Sequence, residues 1–266
     1  MSVKAASGVG NSPALRTALD RLGGAQKKAA RSAPAYSRYV NRRLGRYLAA
    51  LAFAAGLSPN AVTGISAVFT FAGIVLLMLF PPSLGLGVAV ALLLATGYAL
   101  DSADGQLARL TRSGSSAGEW LDHMVDAAKT SLLPLALAVG LYRFDAAPPL
   151  VLLVPLSAAV VCAVLFFGMI LTEQLRRQRG VESLADDSRR PSWVRSLLVV
   201  PMDYGLLCWV FVLYGAVPVF MSVYTVIVVA TAAFLVLASV KWFRELSVLP
   251  EPPHGKHLRE AVPDTT

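Results

Sequence analysis

Between residues 60 and 243 this chain is a succession of apolar runs, each near the length that crosses a bilayer. Hydrocarbon offers no water to the backbone, so a run of this kind satisfies its N–H and C=O groups internally, as a helix. The runs cover about 60–80, 83–107, 118–142, 150–171, 197–220 and 222–243. They predict an all-α integral membrane protein with six transmembrane helices. The chain is 56% hydrophobic and only 15% charged, which excludes an ordinary soluble domain. Cys162 and Cys208 both lie inside apolar runs and read as small buried hydrophobes, not as a disulfide or a metal site.

Ahead of the spans, residues 1–34 are rich in Ala, Ser, Gly and Lys and lack the apolar core of a signal peptide. They read as a mostly mobile cytoplasmic tail. From 36 to about 55, Tyr36, Val40, Leu44, Tyr47, Leu48 and Leu51 recur at helical spacing, with Arg38, Arg42, Arg43 and Arg46 largely between them. This predicts an amphipathic helix lying in the membrane interface. The membrane domain then covers 35–245, and 246–266 form a polar tail.

Basic residues choose the orientation. The N-terminal segment, the Arg109/Arg112 turn, the 176–195 loop and the 241–259 tail are rich in Lys and Arg, whereas the opposite turns carry only Arg143. The positive-inside rule puts both termini at the cytoplasmic face of the cell membrane. It also makes the net charge of +8 a matter of cytoplasmic loops and anionic headgroups, with no nucleic-acid partner.

Against this apolar background, the stretch 101–126 reads DSADGQLARLTRSGSSAGEWLDHMVD. Asp101 and Asp104 stand at i, i+3, and Asp122 and Asp126 at i, i+4, so each pair shares a helix face. The small, polar residues 110–117 turn between them, and two antiparallel helices would present four carboxylates to one another. Like charges that close raise one another's cost of ionisation, and a divalent cation relieves it. Oxygen ligands without a surrounding His or Cys set point to Mg²⁺, Mn²⁺ or Ca²⁺. Two such metals suit displacement at phosphorus. Gly105 leaves backbone room for a ligand, Ala108 keeps the face narrow one turn past Asp104, and Arg109 offers a planar fork suited to phosphate. Gly118 opens the second helix at a point of close approach. The bland alternative, acids that only pair with bases to hold helices together, fits poorly with one nearby Arg for four acids.

The spacing D-x-x-D-G-x-x-A-R, eight residues, then G-x-x-x-D-x-x-x-D resembles the signature of the CDP-alcohol phosphotransferases, also called CDP-alcohol phosphatidyltransferases. Asp101, Asp104, Gly105, Ala108, Arg109, Gly118, Asp122 and Asp126 match every fixed position. The resemblance implies a membrane enzyme of phospholipid biosynthesis that transfers a substituted phosphoryl group from a CDP-linked donor to an alcohol and releases CMP. It implies Asp101, Asp104, Asp122 and Asp126 as ligands of Mg²⁺ or Mn²⁺, two per site, with Asp126 also the general base. Gly105, Ala108, Arg109 and Gly118 would line the CDP site. A homodimer among membrane lipids is implied as well. The P-N-x-x-T start of the first span is similar to that of related enzymes, so Asn60 and Thr63 are further nucleotide contacts, with helix capping as their alternative.

Donor and acceptor divide two readings. The short six-span chain favours CDP-diacylglycerol as donor, with inositol phosphate, glycerol phosphate or serine among the acceptors of similar enzymes. Gly118-Glu119-Trp120-Leu121-Asp122-His123 is similar to the G-E-x-x-D-H of enzymes that join a CDP-aminoalcohol to diacylglycerol, which makes Glu119 and His123 candidate site residues. Arg177, Arg190 and Arg195 are candidate contacts of an anionic acceptor, Lys129 a snorkelling or acid-paired residue, and Asp203 an acceptor contact or a helix start. Membrane prenyltransferases also use paired Asp motifs, but with more spans and without the D-G-x-x-A-R context. A cation transporter would place acids near the midplane or along several spans, whereas these gather at one end. A catalytically silent scaffold predicts a missing Asp, and none is missing.

Overall fold

A computed structural model describes residues 36–180 and 203–248. A π-helical turn, Ser37–Asn41, runs into α1, Arg42–Ala54. Then follow α2 (Pro59–Leu79), α3 (Leu84–Thr111) and α4 (Ser116–Arg143). A 3-10 turn, Pro149–Leu152, leads into α5, Leu153–Gln178. From residue 203 onward come the short α6 (Tyr204–Val210), a 3-10 turn Phe211–Gly215, and α7 (Val217–Ser247). The described residues are helical with no strand, and the chain is an all-α membrane protein. The expected tails, with Lys27, Lys28 and Arg31, and the loop residues Arg190 and Arg195 lie outside the described residues.

Serine side chains start three of these helices. Ser58 Oγ accepts Ala61 N–H at 3.2 Å with Pro59 in the first turn, Ser83 Oγ accepts Leu86 N–H at 3.1 Å, and Ser115 Oγ accepts Gly118 N–H at 3.1 Å. Each cap answers an N–H that no earlier carbonyl can reach. At the other end of α3, Arg112 adopts φ 53° and closes the helix on the Ala108 carbonyl.

Among the described residues, five helices are long and apolar enough to cross a membrane: α2, α3, α4, α5 with its lead-in turn, and α7. The expected fifth span, 197–220, is described only from residue 203 onward, and six full-length spans are not confirmed. Its described part is the short helix Tyr204–Gly215, and the chain breaks at Ala216 before α7 begins at Val217. The break has a local cause. Pro218 sits in the first turn of α7, where its fixed φ and missing N–H suit a new helix better than the interior of an old one.

Small residues let the helices close. Ser66 Oγ donates to the Gly97 carbonyl at 2.8 Å, and a side chain on Gly97 would meet Thr70 Oγ1 and lie 3.1 Å from the Ser66 carbonyl. Such contacts suit a bilayer, where close packing and interhelical hydrogen bonds replace hydrophobic exclusion as the force between helices. The main core joins Ile74, Leu77, Leu94, Leu137 and Leu141 to Phe211, Tyr214 and Phe220. The short α6 segment is thereby wedged against α3. Helix α1 turns Asn41, Gly45, Ala49 and Ala52 inward and leaves Val40, Leu44, Tyr47 and Leu51 exposed. Asn41 Nδ2 donates to the Tyr98 carbonyl at 3.1 Å, and Gln106 Nε2 donates to the Arg42 carbonyl at 3.2 Å, which fixes α1 along α3.

Helix α2 packs along both α3 and α4, while α3 and α4 themselves make almost no close backbone approach. The two helices that carry the acidic motif therefore face one another across a gap bridged by side chains.

Candidate active site

The gap lies where α3 ends and α4 begins. Asp101 and Asp104 face it from α3, and Asp122 and Asp126 from α4. Asp101, Asp104 and Asp122 bring carboxylate oxygens within 4.8 Å of one another. Asp122, His123 and Asp126 form a second such group, so Asp122 belongs to both. The motif spacing explains the convergence. Residues 101, 104, 105 and 108 follow one stripe of α3, and 118, 122, 126 and 129 one stripe of α4.

Each acid is held differently. Asp104 is buried, with Oδ2 2.6 Å from the Thr63 hydroxyl and Oδ1 2.5 Å from the Gly105 N–H. Asp126 Oδ1 receives the Lys129 ammonium at 2.5 Å, and the same ammonium lies 3.3 Å from Asp101 Oδ1. Lys129 is itself buried and sits over the Tyr204 ring, 5.4 Å from its centroid. Tyr204 packs edge-on against Tyr98 at 5.2 Å. Lys129 and Arg109 together supply two positive charges against the four Asp carboxylates. The remaining negative charge and the crowded oxygens suit hard divalent cations, which these residues are able to hold.

Thr63 and Asn60 reach the gap from α2. Capping, their alternative role, belongs instead to Ser58. Thr63 is buried between Asp104 and the Pro59 carbonyl, 3.2 Å away. A Cβ on Gly118 would stand 2.9 Å from Asn60 Oδ1, so a side chain there would push the amide aside. The guanidinium of Arg109 folds back over Gly105, with Nη1 3.6 Å from where a Cβ would be. Ala108 is half-buried on the next turn of the same stripe, and its carbonyl closes the helix.

Glu119 and His123 line an open groove of about 570 Å³ between α4 and α5, with Trp120, Met124, Phe166 and Phe167 as apolar walls. His123 Nε2 is 3.8 Å from Glu119 Oε1, and its ring meets Phe166 edge-on at 6.3 Å. Arg177 bonds Glu119 at 2.7 Å and Glu173 at 3.3 Å, so this candidate acceptor contact is engaged with carboxylates of its own chain. Asp203 is buried away from the four acids. It caps α6 through Gly205 N–H at 3.1 Å and accepts Tyr36 N–H at 2.8 Å, which favours the helix-start role.

Lys129 is central to the site, although motif spacing alone gives it no place there. A signal for it exists in the sequence: it is the only Lys or Arg between Arg112 and Arg143. A lone cation inside an apolar span marks a polar site by default. Nothing in the sequence marks Tyr204 and Tyr98, whose contacts depend on the return of a distant segment to α3.

The family model described as CDP-alcohol phosphatidyltransferase matches residues 56–237. No curated protein matches the chain.

Proposed function

The chain belongs to the CDP-alcohol phosphatidyltransferase family, and from that premise we propose how its own residues carry out the transfer. The family transfers a phosphate-containing group from a CDP-alcohol to an alcohol in lipid synthesis and typically depends on a divalent metal. The observation that carries the residue assignment is the convergence of Asp101, Asp104 and Asp122 at one end of two spans.

In this reading Asp101, Asp104, Asp122 and Asp126 hold two Mg²⁺ or Mn²⁺ ions. When bound there, such ions would supply positive charge to the diphosphate and to the developing charge on CMP. Arg109 and the open backbone at Gly105, Ala108 and Gly118 receive the CDP moiety, with Asn60 beside Gly118. Thr63 fixes the Asp104 carboxylate. Asp126 takes the proton of the acceptor hydroxyl. The acceptor oxygen then forms its bond to the β-phosphorus of the donor, the phosphoanhydride bond breaks, and its electron pair leaves on CMP.

The preferred donor is CDP-diacylglycerol. The apolar walls of the α4–α5 groove offer a place for the tail of a lipid-bearing substrate beside Asp126. A CDP-aminoalcohol joined to diacylglycerol is the second reading, on the strength of Gly118, Glu119, Asp122 and His123. The Arg177–Glu119 ion pair weighs against Glu119 as a free partner for a cationic headgroup. The domain covers 35–245, with both termini and the acidic gap on the cytoplasmic side, and the protein works as a homodimer. The exposed Val40, Leu44, Tyr47 and Leu51 of α1 rest in the interface, with Arg43 toward headgroups.

The test is CMP release by purified protein with Mg²⁺, with CDP-diacylglycerol, CDP-choline and CDP-ethanolamine as donors against a panel of alcohols and diacylglycerol. Release with CDP-diacylglycerol supports the preferred reading. Release only with a CDP-aminoalcohol and diacylglycerol replaces it with the second, and release with none removes both.

A further inference from the structure

The buried ammonium at the centre of the site is neither a cation ligand nor the base of the proposed transfer. Lys129 lies one turn past Asp126 on α4, and its Nζ contacts Asp126 Oδ1 at 2.5 Å and Asp101 Oδ1 at 3.3 Å. Its side chain is only 9% exposed. The ammonium donates to Asp101 and forms an ion pair with Asp126, carboxylates from two different helices, and the ring of Tyr204 lies beneath the charge.

Removing a lysine from water is costly, and apolar packing holds helices together as well or better. A purely structural tie would therefore not need a charge here. It would also sit where helices pack, yet α3 and α4 barely approach one another and are both organised by α2. The buried ammonium spans the gap between α3 and α4. It touches the carboxylate assigned as base and one assigned to the cation on the other helix, at one oxygen of each.

Resting on the phosphotransfer reading, the geometry points to Lys129 as a positioning residue that clamps Asp126 against Asp101 and aims the base at the acceptor hydroxyl. The proton is received on the Asp126 oxygen that Lys129 does not engage. Because the ammonium is a positive charge beside the cation site, it orients the carboxylates at some cost in cation affinity. The two effects have opposite signs, which separates positioning from scaffolding.

The experiment measures kcat and donor KM by CMP release, Mn²⁺ affinity by calorimetry, and thermal unfolding, for the wild-type protein, Lys129→Met and Lys129→Arg. With Lys129→Met, kcat falls about 10- to 100-fold, donor KM stays within about threefold, and Mn²⁺ binds at least as tightly as in the wild type. Lys129→Arg keeps the charge but moves the donors, so Mn²⁺ affinity holds while kcat still drops. Wild-type turnover in either folded variant overturns the assignment. So does a Mn²⁺ affinity that weakens in step with kcat, because that is the mark of a structural tie. If Lys129→Met does not fold, Lys129→Arg decides by the same criteria. If the wild-type protein releases no CMP, the phosphotransfer reading fails separately. The Mn²⁺ titration still decides on the clamp: affinity held or raised in Lys129→Met supports it, and affinity lost overturns it.

Discussion

Thr63→Val tests how α2 takes part in the site. Valine keeps the branched shape of threonine and removes only the hydroxyl, so packing of the α2–α3 contact changes little. What is lost is the contact at 2.6 Å to Asp104 Oδ2, in a place where both residues are buried, together with the longer bond at 3.2 Å to the Pro59 carbonyl within α2. A hydrogen bond to a charged, buried acceptor contributes about 1.5–3 kcal/mol. At about 1.4 kcal/mol per decade, that is roughly a 10- to 150-fold effect if the bond matters fully to the charged, cation-binding form of Asp104. The lower part of that range is expected, since Gly105 N–H still holds the other oxygen. Partners that orient a ligand typically alter metal affinity or activity by about 10- to 100-fold, which agrees. The assay is calorimetric Mn²⁺ binding together with the Mg²⁺ concentration that half-saturates CMP release. Both curves should shift to higher metal, with kcat at saturating metal changed much less. An unchanged metal requirement in a folded Thr63→Val protein would refute the claim that α2 orients Asp104.

Other substitutions probe single contacts. Gly118→Ala places a methyl 2.9 Å from Asn60 Oδ1 and should raise the donor KM about tenfold with the protein still folded, as read by CMP-release kinetics and a thermal melt. Arg109→Lys loses the planar fork and should also raise the donor KM, and an unchanged KM would argue against a phosphate contact. Asp126→Asn should abolish CMP release while the protein stays folded in detergent, and retained release would remove Asp126 from the base role. Gly97→Val meets Thr70 and the Ser66 carbonyl and should destabilise the fold by about 1–3 kcal/mol or more, seen as a lowered Tm without any change in metal selectivity.

The helical membrane class is legible in the sequence because long apolar runs have few other ways to satisfy their backbone. The acidic motif is legible for a related reason. On a helix, spacing fixes the face, so Asp101, Asp104, Asp122 and Asp126 converge once both flanks are helical. Contacts between distant segments are not legible in the same way. Thr63 and Asp104 are 41 positions apart, and nothing local distinguishes a hydroxyl that reaches a carboxylate from one that caps a turn. Lys129 is legible only as a residue that snorkels or pairs with an acid, and which acids it joins, Asp101 and Asp126 on different helices, is not. The shape of the fifth segment is less legible, because residues 197–220 are mostly apolar and apolarity does not report the break at Ala216. Pro218 carries that information, as a residue that starts helices more readily than it continues them.

The central claim is that the acidic gap between α3 and α4 is a divalent-cation site for transfer from a CDP-alcohol. The most direct measurement is CMP release from CDP-diacylglycerol with its responsive alcohol, before chelation, after chelation, and after Mg²⁺ or Mn²⁺ is restored, in the wild-type protein and in Asp122→Asn. Asp122 is the residue common to both carboxylate groups. The account predicts release that vanishes on chelation, returns with the cation, and does not return in Asp122→Asn. Release that persists without divalent cation, or that Asp122→Asn supports at the wild-type rate, would contradict it.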